Sequence, residues 1–132
     1  MAQQYDRFSK YLIRKYPEAI AKLAFGGQNV EVEETLATEQ VPVGHNDIVF
    51  RVRFPDGTRS ILHIEVQTQD SQEPMLYRMA AYHEYLFRAH KMQVHSCVIY
   101  LHPNAGRTDP GFDAYEVDEY RYVIQYKVIR NR

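Results

Sequence analysis

The sequence of 132 residues has very little cysteine and no long apolar run. Its single cysteine, Cys97, excludes an internal disulfide and favours a reducing cytoplasm over a secreted scaffold. No window approaches about 18 uninterrupted apolar residues, so no transmembrane helix is expected. The N-terminus also lacks the basic start and apolar core of a signal peptide. We therefore predict a cytoplasmic protein with no membrane partner.

The sequence also has little net charge, because 16 basic side chains oppose 17 acidic ones. No global field would attract a nucleic acid, so any affinity for DNA must come from a local patch. A glycine-rich phosphate loop is absent too, since Gly26-Gly27 follows a predicted helix rather than preceding one. The length fits one domain over 1–132, and the strand pattern near Arg132 leaves open that the natural chain continues.

Apolar spacing predicts the order helix, three strands, helix, strand, strand, which is typical of an α/β sandwich with a mixed sheet. We predict a helix over 5–25 that breaks at Pro17, strands over 30–36, 46–54, 60–67 and 94–101, a polar loop after 101, and one strand over 120–129. Asp70 and Ser71 offer caps for a long helix that begins at Pro74 and ends near Lys91. Two apolar stripes predict that this helix packs on the sheet: Met75, Met79, Tyr82 and Leu86, and then Leu76, Ala80, His83 and Phe87.

The turn between the second and third strands predicts their register. Phe54-Pro55-Asp56-Gly57-Thr58 suits a three-residue loop, with proline at the first turn position and glycine at the left-handed one. Phe54 then pairs with Thr58, and further along the ladder Asp47 lies opposite Glu65.

Two acids directly opposite in a sheet repel each other, because their Cβ atoms are only about 4.5–5.5 Å apart. Three arrangements relieve the repulsion: a shared proton, an intervening basic side chain, or a bound divalent cation. Hard oxygen ligands at this spacing suit Mg²⁺ or Mn²⁺. The remaining alternative is a solvent-facing hairpin that simply tolerates both acids.

This pattern resembles the PD-(D/E)XK nuclease superfamily. The resemblance rests on Asn46-Asp47 and, eighteen positions after Asp47, on Glu65 within Ile61-Leu62-His63-Ile64-Glu65-Val66-Gln67, followed by a helix. It spans about residues 5 to 129 and includes Asp47-Ile48-Val49-Phe50-Arg51-Val52 and the Tyr77-Arg78-Met79 region. Within the superfamily, the chain is most similar to recombination-promoting nucleases and putative transposases, which often carry Glu-x-Gln. The resemblance implies a restriction-endonuclease-like mixed sheet flanked by helices.

The resemblance also implies a Mg²⁺- or Mn²⁺-dependent DNA endonuclease, with a link to mobile elements or recombination. Asp47 and Glu65 would be metal ligands, and the Val66 backbone carbonyl would complete the site. Asn46 replaces the proline of the superfamily's name, and Gln67 replaces the lysine. Gln67 cannot act as a base, but its amide oxygen could orient the attacking water. The alternative is a catalytically silent binding or interaction module that retains the nuclease fold.

Several further assignments stay open. An additional acid is sought among Glu18, Glu33 and Glu39, with Glu39 preferred. His63 shares the face of Glu65, so it either supports the site or is a packed or exposed histidine. Three basic residues after the acidic strand would contact DNA phosphates or form a solvated face: Arg78, Arg88 and Lys91. A homodimer would make cutting of both DNA strands easier.

Overall fold

The structure is a computed structural model that describes residues 10–36, 47–68 and 72–130. Its helices are α1 (10–15), α2 (Pro17–Ala24) and α3 (Met75–His90). Its strands are β1 (Glu31–Leu36), β2 (Asp47–Arg53), β3 (Arg59–Gln67), β4 (Val94–Tyr100), β5 (Phe112–Val117), β6 (Tyr120–Gln125) and β7 (Lys127–Arg130). None of the helices in the described ranges is long and apolar enough to cross a membrane.

Five strands form one mixed sheet in the order β1-β2-β3-β4-β7. The first three strands are antiparallel neighbours, whereas β4 runs parallel to both β3 and β7. A parallel return needs a crossover, and α3 supplies it between β3 and β4. The predicted mixed α/β architecture is therefore confirmed, and β3 lies at the centre of its sheet.

Helices cover both faces of the sheet. On one face, Phe50, Leu62 and Ile64 pack with Ile13 of α1 and Ala21 of α2. On the other face, α3 packs through the predicted stripe of Met75, Met79, Tyr82 and Leu86, all of which are buried. As a result, every residue of β3 after Arg59 is buried. A polar side chain on the α3 side of β3 therefore lies inside the core.

Only one of the two predicted stripes on α3 is buried. In the second stripe, His83 stacks on Phe87 at the surface, with ring centroids 6.0 Å apart, and Phe87 is 44% exposed. One flat sheet face can cover only one side of a helix, so the second stripe is left at the margin. The helix begins after Pro74 and ends where Lys91 adopts a left-handed conformation with φ of 53°. The predicted caps Asp70 and Ser71 lie outside the described residues.

The turn between β2 and β3 has the predicted geometry. The Phe54 N–H donates to the Thr58 carbonyl at 2.8 Å, and the Gly57 N–H donates to the Phe54 carbonyl at 2.9 Å. Gly57 has φ of 89°, in the region where a side chain is strained. Asp56 accepts from the Thr58 N–H at 2.9 Å, which stiffens the loop. These bonds fix the register of the two central strands.

The prediction of one strand over 120–129 is wrong. The chain breaks at Tyr126, so that β6 pairs with β5 in a separate two-stranded sheet while β7 joins the main sheet. At this break, the side chain of Tyr126 is bound by Asp109, which is only 9% exposed. Its carboxylate accepts from the hydroxyls of Tyr126 at 2.6 Å and Tyr100 at 2.5 Å.

Strand β5, predicted as loop, was missed because all six of its residues are exposed and it has no buried face.

Candidate functional site

Asp47 and Glu65 are directly paired across β2 and β3, as the turn predicts. Pairs in an antiparallel ladder alternate between hydrogen-bonded and non-hydrogen-bonded. Since the Phe54–Thr58 pair is hydrogen-bonded, the Asp47–Glu65 pair, seven steps further on, is non-hydrogen-bonded. Such pairs have Cα atoms only about 4.5 Å apart. The backbones of the two residues are therefore close neighbours in the ladder, and Glu65 is also paired with Val98 of β4 across the parallel junction.

Glu65 is completely buried, with 0% of its surface exposed. Its Oε1 accepts from an Nη2 N–H of Arg78 at 2.6 Å and from the Nε2 N–H of Gln67 at 2.6 Å. Burying a carboxylate is costly unless a cation and hydrogen bonds compensate it, and these two donors do so. The alternative of a solvent-facing hairpin that tolerates both acids does not hold for Glu65. Of the three arrangements that relieve repulsion, a basic side chain is the one seen at this residue.

Arg78 reaches Glu65 because of its place on α3. It lies three residues after Met75 and four before Tyr82, so it belongs to the side of the helix that faces the sheet. Its side chain is only 14% exposed. The ion pair with Glu65 was missed in the sequence analysis, which considered Arg78 for DNA phosphates or for a solvated face. The signal was available in the spacing, because an arginine on a buried stripe needs an internal acceptor.

His63 lies two residues before Glu65 on the same face and is also fully buried. Its Nδ1 is 3.1 Å from the Ser96 hydroxyl oxygen, and its ring contacts Tyr82 with centroids 4.7 Å apart. Burial, assisted by the positive charge of Arg78, lowers the pKa of His63 to about 4, although the charge of Glu65 acts in the opposite direction. His63 is therefore neutral near pH 7 and does not add a second cation beside the carboxylate.

Gln67 ends β3 and is 9% exposed, so it lies between the core and solvent. A carboxylate oxygen accepts and does not donate, so the Gln67 group facing Glu65 is the amide nitrogen. The amide oxygen is then the free acceptor end of that side chain. Val66, in contrast, packs its side chain into the α1 and α2 core. Only its backbone carbonyl is available for the predicted ligand role.

The remaining predicted residues do not gather around Glu65. Arg88 lies ten residues beyond Arg78, about 15 Å along the helix axis, and pairs with Glu84 at 3.0 Å on the surface. Lys91 follows the same end of α3. Glu33 pairs with Arg59 at 2.8 Å, and this hydrogen bond lowers the pKa of Glu33. Glu18 belongs to α2, on the opposite side of the sheet. The preferred additional acid, Glu39, lies outside the described residues.

The donor chemistry at this position fits a hard divalent cation. Among the described residues, no group of three or more histidine, cysteine, aspartate or glutamate side chains is placed to hold a metal. Mg²⁺ does not require such a group, because it keeps several waters and binds through one or two carboxylates. The carboxylate described at this position is that of Glu65, whose register partner across the strands is Asp47. The Arg78 guanidinium provides the positive charge at this carboxylate in the structure.

No protein-family model, curated protein or solved structure matches the chain. The superfamily therefore stays a prediction from the motifs.

Proposed function

We propose that this chain is a divalent-metal-dependent nuclease that hydrolyses phosphodiester bonds in DNA. The observation that carries the proposal is the pairing of Asp47 with Glu65 at the centre of the sheet. Central strands rarely oppose two acids without a positive partner, because like charges directly opposite are destabilising. A register that pairs two acidic residues in this way favours a cation.

We infer that the sheet is the restriction-endonuclease-like sheet of the PD-(D/E)XK superfamily. The order of helix, three antiparallel strands, crossover helix and parallel strand supports this assignment. The parallel β7 is consistent with the additional C-terminal strand of the expected core. A connection with mobile elements or recombination is proposed from the motif resemblance.

The carboxylates of Asp47 and Glu65, with the Val66 carbonyl, would hold Mg²⁺ or Mn²⁺. The bound metal would supply Lewis-acid chemistry, which favours attack on phosphorus and stabilises the charge that develops there. Gln67 donates its amide nitrogen to Glu65, which leaves its amide oxygen to accept from the attacking water. Arg88 and Lys91, at the far end of α3, are proposed to contact the DNA backbone. A homodimer would allow both strands to be cut.

A second candidate is a nuclease-fold binding module without catalysis. The observation that favours it is the buried ion pair, in which Arg78 satisfies Glu65 without any metal. Gln67, in place of the lysine typical of the superfamily, also removes a cationic side chain from the expected site. In this case the chain would bind a partner through its surface, and the acid pair would be structural.

Cleavage of supercoiled plasmid with Mg²⁺ or Mn²⁺ tests the proposal. Two isosteric variants, Asp47→Asn and Glu65→Gln, are each expected to lower the cleavage rate by about a hundredfold or more, since each removes a proposed charged ligand. Asp113→Asn is the matched control, because it removes a carboxylate from the exposed β5 strand. Equal cleavage by all proteins would indicate a contaminating nuclease. Metal binding without cleavage would favour the silent module.

A further inference from the structure

Arg78 occupies the place at Glu65 that a metal would need. Its Nη2 lies 2.6 Å from Oε1, and this oxygen also accepts from Gln67. A divalent cation that bound the same oxygen would meet the guanidinium at close range, and the two positive charges would repel. The ion pair and a bound metal are therefore alternatives at Oε1 of Glu65.

Neither the departure of Arg78 from Glu65 nor the entry of a metal is favourable by itself. If Arg78 leaves alone, Glu65 keeps a negative charge inside the core, since its side chain is 0% exposed. Breaking a buried pair in this way is strongly destabilising. If the metal enters while Arg78 stays, the positive charge of the guanidinium repels it. The two events become favourable together when another anion accepts Arg78.

A phosphate diester is the anion that suits this role. Guanidinium binds phosphate through two parallel N–H···O bonds, which gives both strength and geometry. The Arg78 side chain retains 14% exposure, so it reaches the boundary of the core, whereas the Glu65 side chain has no exposure. A short movement of the side chain would turn the guanidinium from the carboxylate to a phosphate outside.

We propose that Arg78 closes the metal position until a DNA phosphate draws its guanidinium away, so that metal and DNA bind cooperatively. This inference rests on the proposed function, because it describes how the same site is loaded. Arg78 is here a positioning residue that acts through Glu65. By thermodynamic linkage, DNA must raise the metal affinity by the same factor by which the metal raises the DNA affinity.

Mn²⁺ binding, measured by electron paramagnetic resonance, tests this coupling with and without a phosphorothioate DNA duplex that resists cleavage. In the wild-type protein, we expect the duplex to tighten Mn²⁺ binding by about tenfold or more. Arg78→Met should bind Mn²⁺ about tenfold more tightly than the wild type without DNA, and the duplex should then have little further effect. Arg107→Met is the matched control, because it removes an exposed arginine from the turn after β4 and should behave as the wild type.

Each outcome decides a different point. Absence of coupling between Mn²⁺ and DNA binding in the wild type overturns the proposal. Coupling that persists in Arg78→Met also overturns it, because the coupling would then come from DNA phosphates that bind the metal directly. Tight Mn²⁺ binding by every variant would overturn it while leaving the proposed nuclease intact. Absence of Mn²⁺ binding by all proteins, with and without DNA, would instead remove the proposed function itself. If circular dichroism shows that Arg78→Met does not fold, Arg78→Gln provides the neutral side chain.

Discussion

The buried His63 predicts a specific loss of stability in weak acid. Burial lowers its pKa from 6.5 to about 4, so the folded protein excludes a proton that the unfolded chain accepts. Stability must then fall as the pH falls through that interval, because the unfolded state binds more protons. One pH unit corresponds to about 1.4 kcal/mol for one proton, so the full interval amounts to about 3 kcal/mol.

Urea denaturation between pH 4.5 and 7.5 measures this effect when the wild type is compared with His63→Gln. The glutamine variant loses packing against Tyr82 and is expected to be less stable at pH 7.5. Its disadvantage should shrink as the pH falls below 6.5, since it has no imidazole to protonate. His83→Gln serves as a graded control, with a smaller change of the same sign, because burial lowers the pKa of His83 at a site near the surface. Parallel curves for wild type and His63→Gln would show that the folded protein holds the proton on His63.

Three further perturbations have defined outcomes. Asp109→Asn should lower the free energy of unfolding by about 1–3 kcal/mol, because one amide cannot accept from both tyrosine hydroxyls and the Gly111 N–H. Tyr120→Phe, the control at an exposed tyrosine, should change the free energy of unfolding little. Equal free energies of unfolding for the two variants would contradict the role of Asp109. Gly57→Ala should cost about 1 kcal/mol through its positive φ alone, since a Cβ there meets no atom within 4 Å, and Gly57→Asn should cost less. Cys97 should resist thiol reagents in the folded protein and react once urea unfolds it, because burial raises the pKa of its thiol to about 12; fast labelling without denaturant would contradict this.

The central hairpin was predictable because its information is local. Five residues from Phe54 to Thr58 determine the turn, and the turn determines every later pair, including Asp47 with Glu65. The buried stripe of α3 was predictable for a similar reason, since helical spacing marks a face.

The charge state of the site was less accessible from sequence. The sequence leaves three ways to relieve two opposed acids, and the choice depends on which side chain of a distant helix arrives at Glu65. Arg78 is thirteen positions away, and its contact requires the crossover of α3 over the sheet. Strand β5 was hidden for a different reason, because a strand without a buried face has no apolar alternation to detect.

The β5–β6 hairpin is separate from the five-stranded sheet, and the two chain segments that flank it meet at one point. The Tyr126 N–H donates to the Gly111 carbonyl at 2.9 Å, so the residues on either side of the hairpin are already joined. A Cβ on Gly111 would lie 2.6 Å from the Tyr126 carbonyl oxygen, so this junction requires glycine. The strands between these two positions, β5 and β6, pair only with each other in the described part of the chain. Shortening this hairpin, or grafting another loop in its place, would leave every strand pairing of the five-stranded sheet intact, because none of that sheet's strands lies between Gly111 and Tyr126.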